Sequence, residues 1–120
     1  MIAVSNLDVH VKDWGGELWI VNTDAYCGKR LTVRKGMQSS LHYHLIKDET
    51  FFVESGLIQF EIDGHVLMLR PGNSVRVLPG LRHRFSGFES SDVFEFSTHH
   101  DEADVYRIEP SCPMKPPPPL

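Results

Sequence analysis

The chain has no apolar run approaching 18 residues, so no segment of it reads as a membrane-spanning helix. It also has no excess of positive charge. Twelve Lys and Arg stand against sixteen Asp and Glu, a formal charge of −4 with both signs interspersed. That balance supplies neither the basic footprint of a nucleic-acid binder nor a polybasic membrane segment. Cysteine is scarce. Cys27 and Cys112 lie far apart, and the expectation is two free thiols in a reducing cytoplasm rather than a disulfide scaffold. The N-terminal stretch MIAVSNLDVHVKDW alternates and carries charge, unlike a signal peptide. No window holds a sustained 3.6-residue apolar period, which argues against long helices.

What is present is strand-like. Short runs rich in Val, Ile, Leu, Phe and Thr are separated by turn signals such as GG at 15–16, KG at 35–36, DG at 63–64 and PG at 79–80. Such spacing predicts an all-β sandwich or barrel. Strands are expected over residues 4–11, 17–22, 29–35, 39–45, 49–54, 74–78, 83–87, 91–98 and 104–108, besides one hairpin. That hairpin is LIQFEIDGHVLMLR, where Asp63-Gly64 supplies a two-residue turn that needs positive φ. Across it Ile62 faces His65, so Leu67 and Leu69 join Ile58 and Phe60 on one face, the predicted core. At 120 residues the chain suits one domain, residues 1–109. Residues 110–120 hold six prolines and are expected to form an extended or disordered tail, because proline cannot donate to a ladder.

The stretch LHYHLIKDETFFVESG concentrates ligand chemistry. Residues i and i+2 of a strand share a face, so His42 and His44 project together while Tyr43 points away. Glu49 opens a second strand, expected beside the first, and can add a carboxylate to the same face. Two imidazoles and one carboxylate suit a divalent first-row transition metal with open positions. A fourth ligand must come from elsewhere, and His83, after the Pro79-Gly80 turn, is the candidate.

Gly36, His42, His44, Glu49 and Gly56 satisfy every interval of the first cupin motif. Gly72, Gly80 and His83 fit the second, although Leu78 stands where that motif has proline and Gly87 where it has asparagine. Over about residues 17–108 the chain therefore resembles the cupin superfamily. The resemblance implies a small antiparallel jelly-roll β-barrel. It also implies one divalent transition metal inside, held by His42, His44, Glu49 and His83. Mn, Fe, Co, Ni, Cu and Zn all accept that donor set. Small cupins are commonly dimers, so a homodimer is expected, with the edge strand IAVSNLDVHV covered by the partner.

The spacing H-x-H-x-x-K-x-E places Lys47 two residues before Glu49. This is similar to the D-lyxose isomerase and type II mannose-6-phosphate isomerase branch. Two further stretches are similar to it, WGGELWIVNTDAYCGKRLTV and FEFSTHHDEADVYRIEP. The resemblance implies catalytic roles for Lys47 and Glu95 and a substrate-binding role for Arg107; Lys29 is a further substrate-binding candidate, a cation able to hold a distal hydroxyl or phosphate. The substrate would be a sugar or sugar phosphate, isomerised between aldose and ketose through an enediol that a metal stabilises as a Lewis acid. Two alternatives stay open: a metal-dependent cupin dioxygenase and a non-enzymatic carbohydrate-binding module. Among the remaining residues, His10, His65, His99 and His100 are expected to be solvated. Trp14 and Trp19 read as core or interface aromatics. Tyr26 and Cys27 fall in a predicted loop.

Overall fold

The computed structural model describes residues 2–115. Among them are thirteen strands: β1 Val9–Lys12, β2 Gly15–Asn22, β3 Cys27–Val33, β4 Met37–Gln38, β5 Leu41–Tyr43, β6 Glu49–Ser55 and β7 Ile58–Ile62, then β8 His65–Leu69, β9 Ser74–Val77, β10 His83–Gly87, β11 Ser91–Ser97, β12 Tyr106–Glu109 and β13 Cys112–Pro113. One 3-10 turn, Glu102–Asp104, precedes β12. All pairings are antiparallel. The first sheet runs β1-β2-β3-β11-β6-β9. In the second, β10 pairs β5 and β4 along one side and β7 along the other, with β12, β13 and β8 outside them. The turn spacing predicts an all-β sandwich or barrel, and the cupin resemblance implies this jelly-roll arrangement.

Period-two alternation places the core between the sheets. On β3, Cys27, Lys29, Leu31 and Val33 point inward; on β6, Glu49, Phe51 and Val53 do so; on β11, Ser91, Val93 and Glu95. The register then sorts these inward positions by polarity. Val93 lies beside Leu31 and Val53, in the apolar half with Ile58 and Phe60. Glu95 lies beside Lys29, and Glu49 faces Ser97. One end of the sandwich is a hydrocarbon core and the other is lined with charge.

Several expectations need correction. The first strand begins only at Val9, not at residue 4. Of the run 39–45 only β5, Leu41–Tyr43, is strand, and it is separated from the short β4 before it at Ser39, whose hydroxyl and amide turn toward β10: Ser39 N donates to Phe85 O and Phe85 N to Ser39 Oγ. Hairpin β7–β8 forms with Ile62 opposite His65 and positive φ at Asp63 and Gly64, as read. Ile58, Phe60 and Leu69 are buried, but Leu67 is 40% exposed. The reason is that β8 is the outermost strand of its sheet, paired with β7 along one side. Cys27 belongs to β3 and is buried, not in a loop. Cys112 and Pro113 pair with β4, and Met114 N donates to Gly36 O, so this part of the expected tail joins the second sheet. Residues 116–120 of that tail lie outside the described residues.

Two glycines of the first motif behave differently. Both have positive φ, 81° at Gly36 and 90° at Gly56. A Cβ at Gly36 would meet open space, whereas one at Gly56 would overlap Ser90 O and Ser91 Oγ. Gly36→Ala should therefore cost about 1–2 kcal/mol, the backbone penalty alone. Gly56→Ala should cost roughly 2–4 kcal/mol because overpacking adds to it. Urea unfolding of both variants checks the ranking, and equal losses would contradict the close approach.

Candidate metal centre

Three histidines converge from the second sheet. His42 lies on β5 and His83 opens β10, and the two are cross-strand partners with ring centroids 4.4 Å apart. His44 follows β5 directly, its ring 5.2 Å from that of His42. One nitrogen from each of the three lies within 4.8 Å of the others. Tyr43 points away, as alternation requires, and stacks on Tyr106. Glu49 reaches the same point, but not from beside β5. Its strand, β6, belongs to the opposite sheet, between β11 and β9. The loop 44–48 carries the chain across the interior, so the carboxylate faces the imidazoles through the core rather than along one sheet.

The hydrogen bonds of the rings decide what this cluster can hold. His42 Nδ1 lies 2.9 Å from Ser40 O, His44 Nδ1 3.0 Å from Asp104 O and His83 Nδ1 3.0 Å from Leu81 O. A carbonyl oxygen only accepts, so each Nδ1 carries the proton and each Nε2 presents a lone pair. Glu49 Oε2 stands 2.8 Å from His83 Nε2 and 3.1 Å from His44 Nε2. Neither contact has the alignment of a hydrogen bond. Glu49 Oε2 and His83 Nε2 are buried without a partner among the described residues. Acceptors aimed at one another in a buried place repel unless a cation stands between them. The donor set, three neutral imidazole nitrogens and a carboxylate oxygen, fits a divalent transition metal.

The protonation states agree. Burial, then the neighbouring His83, holds the His42 imidazole down to about 3, so it is neutral at ordinary pH. Burial pushes the Glu49 carboxyl up, but its surroundings, the Lys47 charge among them, outweigh it and hold the group well below the usual carboxylate range. Both groups are thus in the form that binds a cation.

The other residues expected at the site share a cavity of about 280 Å³ with His42, His44 and Glu49, floored by Phe51, Phe85 and Trp14. Ligand sites commonly span roughly 300–1,000 Å³, so this one is small. Lys47 is 3% exposed. Its ammonium is 2.7 Å from Glu95 Oε2 and 3.4 Å from Glu49 Oε1. Burial opposes the charge, but Glu95 and Glu49 overcome it and raise the Lys47 pKa. Glu95 faces inward at 6% exposure. The phenylalanines beside it, Phe94 and Phe96, sit on the outer face, the latter exposed. Lys29 is buried, its Nζ 3.2 Å from Glu17 Oε1 and 4.3 Å from the centre of the Trp19 ring. Arg107 stands at the mouth, half exposed, 3.5 Å from Glu102 Oε2.

Two site residues escaped the sequence reading. His100 was expected in solvent but is 8% exposed, with Nδ1 2.9 Å from Lys47 Nζ. Asp104 is buried under the 44–47 loop. Its carboxylate accepts from the amides of Leu45 (2.9 Å), Ile46 (3.2 Å) and Lys47 (3.0 Å), and its carbonyl fixes His44. Asp104 thereby holds the loop that carries His44 and Lys47 and leads into Glu49. The only signal in the sequence was the acidic run DEAD, which reads equally well as a solvated turn. The other histidines vary. His65 and His99 are exposed, and His10 is half-buried, stacked on Trp19 at 4.1 Å.

A two-sheeted antiparallel jelly roll with an inward cluster of three histidines and a glutamate defines a class of fold and site. Residues 29–106 match the cupin domain family, and the chain belongs to it. It is 31% identical over 102 residues to a mannose-1-phosphate guanylyltransferase of Sinorhizobium fredii, covering 82% of this chain and 20% of that protein. It is 30% identical over 115 residues to a D-lyxose/D-mannose isomerase of Thermosediminibacter oceani, covering 72% of this chain and 64% of that one. The chain thus spans a fifth of the first relative and just under two thirds of the second. Its fold is that of an RmlC-like cupin from Shewanella frigidimarina, with a TM-score of 0.74 at 15% identity over 81% of this chain and 87% of that one. Among the described residues no helix is long and apolar enough to cross a membrane.

Metal content after loading and dialysis tests the cluster. Wild type is expected to retain about one divalent ion per chain. His83→Ala and Glu49→Gln should each lower metal affinity by more than about tenfold. Elemental analysis at equal protein concentration reads this, and unchanged content in both variants would remove the metal assignment.

Proposed function

We propose that this cupin is a metal-dependent aldose–ketose isomerase acting on a small sugar or sugar phosphate. The observation that carries the reading is the Lys47–Glu95 pair, 2.7 Å apart and lining the same cavity as His42, His44 and Glu49. The partial similarity to a D-lyxose/D-mannose isomerase supports it.

His42, His44, Glu49 and His83 would hold the metal, which when bound supplies Lewis-acid polarisation of a carbonyl and its neighbouring hydroxyl. The protein side of the reaction follows from the residues. Isomerisation moves one proton between adjacent carbons and one between their oxygens. Glu95, a carboxylate at the cavity wall, takes the proton from the carbon that bears the hydroxyl and returns it to its neighbour. Lys47 is held as a cation, so it does not serve as that base. It donates hydrogen bonds and stabilises negative charge as it develops on oxygen. Lys29 and Arg107, from the wall and the mouth, would hold the distal hydroxyls. Apolar walls at Leu31, Phe51 and Phe85 exclude water from the reacting end.

This assignment gives the buried charges of the cavity, Lys29, Lys47, Glu49 and Glu95, a use. A dioxygenase would need the metal ligands but leave the Lys47–Glu95 pair idle, and a binding module would need no base. The homodimer expected from the resemblance has a surface available to it. Strand β1 is an edge of its sheet, and Ile2, Val4, Leu7, Val9 and Val11 around it are exposed.

Glu95→Gln should retain metal and lose turnover by about 10²–10⁴-fold. The assay is proton NMR in D2O with a panel of aldoses, ketoses and their phosphates, following deuterium at C1 and C2. Failure of the metal-loaded wild type to exchange any of them would sink the isomerase reading in favour of a binding role. Oxygen uptake with a redox-active metal would point to the dioxygenase.

A further inference from the structure

Lys47 has three N–H groups and three acceptors around it. Glu95 Oε2 lies at 2.7 Å, His100 Nδ1 at 2.9 Å and Glu49 Oε1 at 3.4 Å. Two of the three are carboxylates, which only accept, so the lysine must supply the protons and His100 must accept at Nδ1. The proton of a neutral His100 ring then sits on Nε2, which faces Glu102 Oε1 at 2.9 Å. One tautomer satisfies both contacts and the other satisfies neither. The line of contacts continues from Glu102 to Arg107, so it joins the cavity floor to its mouth.

The imidazole is not needed to hold its own loop. The backbone of His100 is gripped twice by Asn22: His100 N donates to Asn22 Oδ1 at 2.9 Å, and Asn22 Nδ2 donates to His100 O at 3.0 Å. The edge of Trp19 packs against the ring, with centroids 5.1 Å apart, and limits its rotation. Main-chain anchoring thus leaves the side chain to act on the cavity.

We propose that His100 is a positioning residue: locked as the Nε2–H tautomer, it is the third acceptor that aims the Lys47 ammonium and ties it to Glu102 and Arg107 at the mouth. Its kinetic consequence rests on the isomerase reading, but its geometry does not. Without His100 one N–H of Lys47 loses its partner, and the ammonium can swing from Glu95 toward Glu49. With glutamine there, Oε1 can accept from Lys47 and Nε2 donate to Glu102, so the conservative variant restores both contacts.

The test is nitrogen-15 NMR on the full chain loaded with zinc, which is diamagnetic. In wild type, His100 is expected to show a protonated Nε2 and a bare Nδ1. Finding the Nδ1–H tautomer would overturn the proposal, and that measurement needs no variant. In His100→Leu, exchange of the Lys47 ammonium protons with water should speed by about tenfold, and His100→Gln should return it close to wild type. Equal exchange in wild type and His100→Leu would also overturn it. If wild type isomerises a sugar, kcat in His100→Leu should fall by about tenfold or more with KM nearly unchanged, recovering in His100→Gln. If it isomerises none, the isomerase reading fails while the tautomer and exchange still decide the role of His100.

Discussion

The contact on which the site depends is between groups that ought to repel. Glu49 Oε2 and the Nε2 atoms of His44 and His83 are acceptors crowded into a buried place. What sets this up lies on the outer side of each ring. Three backbone carbonyls, of Ser40, Leu81 and Asp104, take the Nδ1 protons and so turn three lone pairs inward. Two of those carbonyls lie two residues before their own histidine, where a strand is just starting. The third comes from the 3-10 turn before β12. Local chain geometry thus fixes two of the imidazoles and tertiary structure the third.

The sheet topology makes the arrangement possible. Cross-strand pairing of β5 with β10 puts His42 beside His83, which loop chemistry alone could not hold so closely. The jelly roll then lays β6 over them from the other sheet, and Glu49 closes the cluster from above. With the four donor side chains on two facing sheets, a bound metal would act as a rivet between layers. It also explains the sorting of inward residues along β3, β6 and β11: apolar where the sheets pack, charged where the cluster opens to the cavity.

Much of this could be read in the sequence. Alternation is local, so His42 and His44 on one face, Tyr43 on the other, and the Asp63-Gly64 hairpin register were all legible from spacing. The inward turn of Glu95 was only half legible. Val93 and Phe94 are both apolar, and alternation cannot say which face of β11 meets the core; the cover over the Val93 face decides it. Asp104 and His100 were not legible because nothing local distinguishes them from the acidic run around them. Asp104 gains its role from three amides some 57 to 59 residues away in sequence. His100 gains its role from Lys47, 53 residues away. The edge position of β8, which exposes Leu67, is likewise a fact of sheet order and not of pattern.

The charged half of the interior is not there for stability. A buried lysine between two carboxylates loses hydration at all three groups, and replacing such a set with packed hydrocarbon is often neutral or stabilising. Leu31, Phe51 and Phe85 already stand beside it, so an apolar filling was sterically open. The chain instead places Lys29 against Glu17 and Lys47 against Glu95 and Glu49, each cation given an anion at close range. Pairing of this kind keeps charges in fixed places at low dielectric, where they act strongly on anything that enters. The cost falls on the fold. The gain falls on whatever small molecule the cavity admits, and that asymmetry favours a chemical use for Lys47 and Glu95 over a purely structural one.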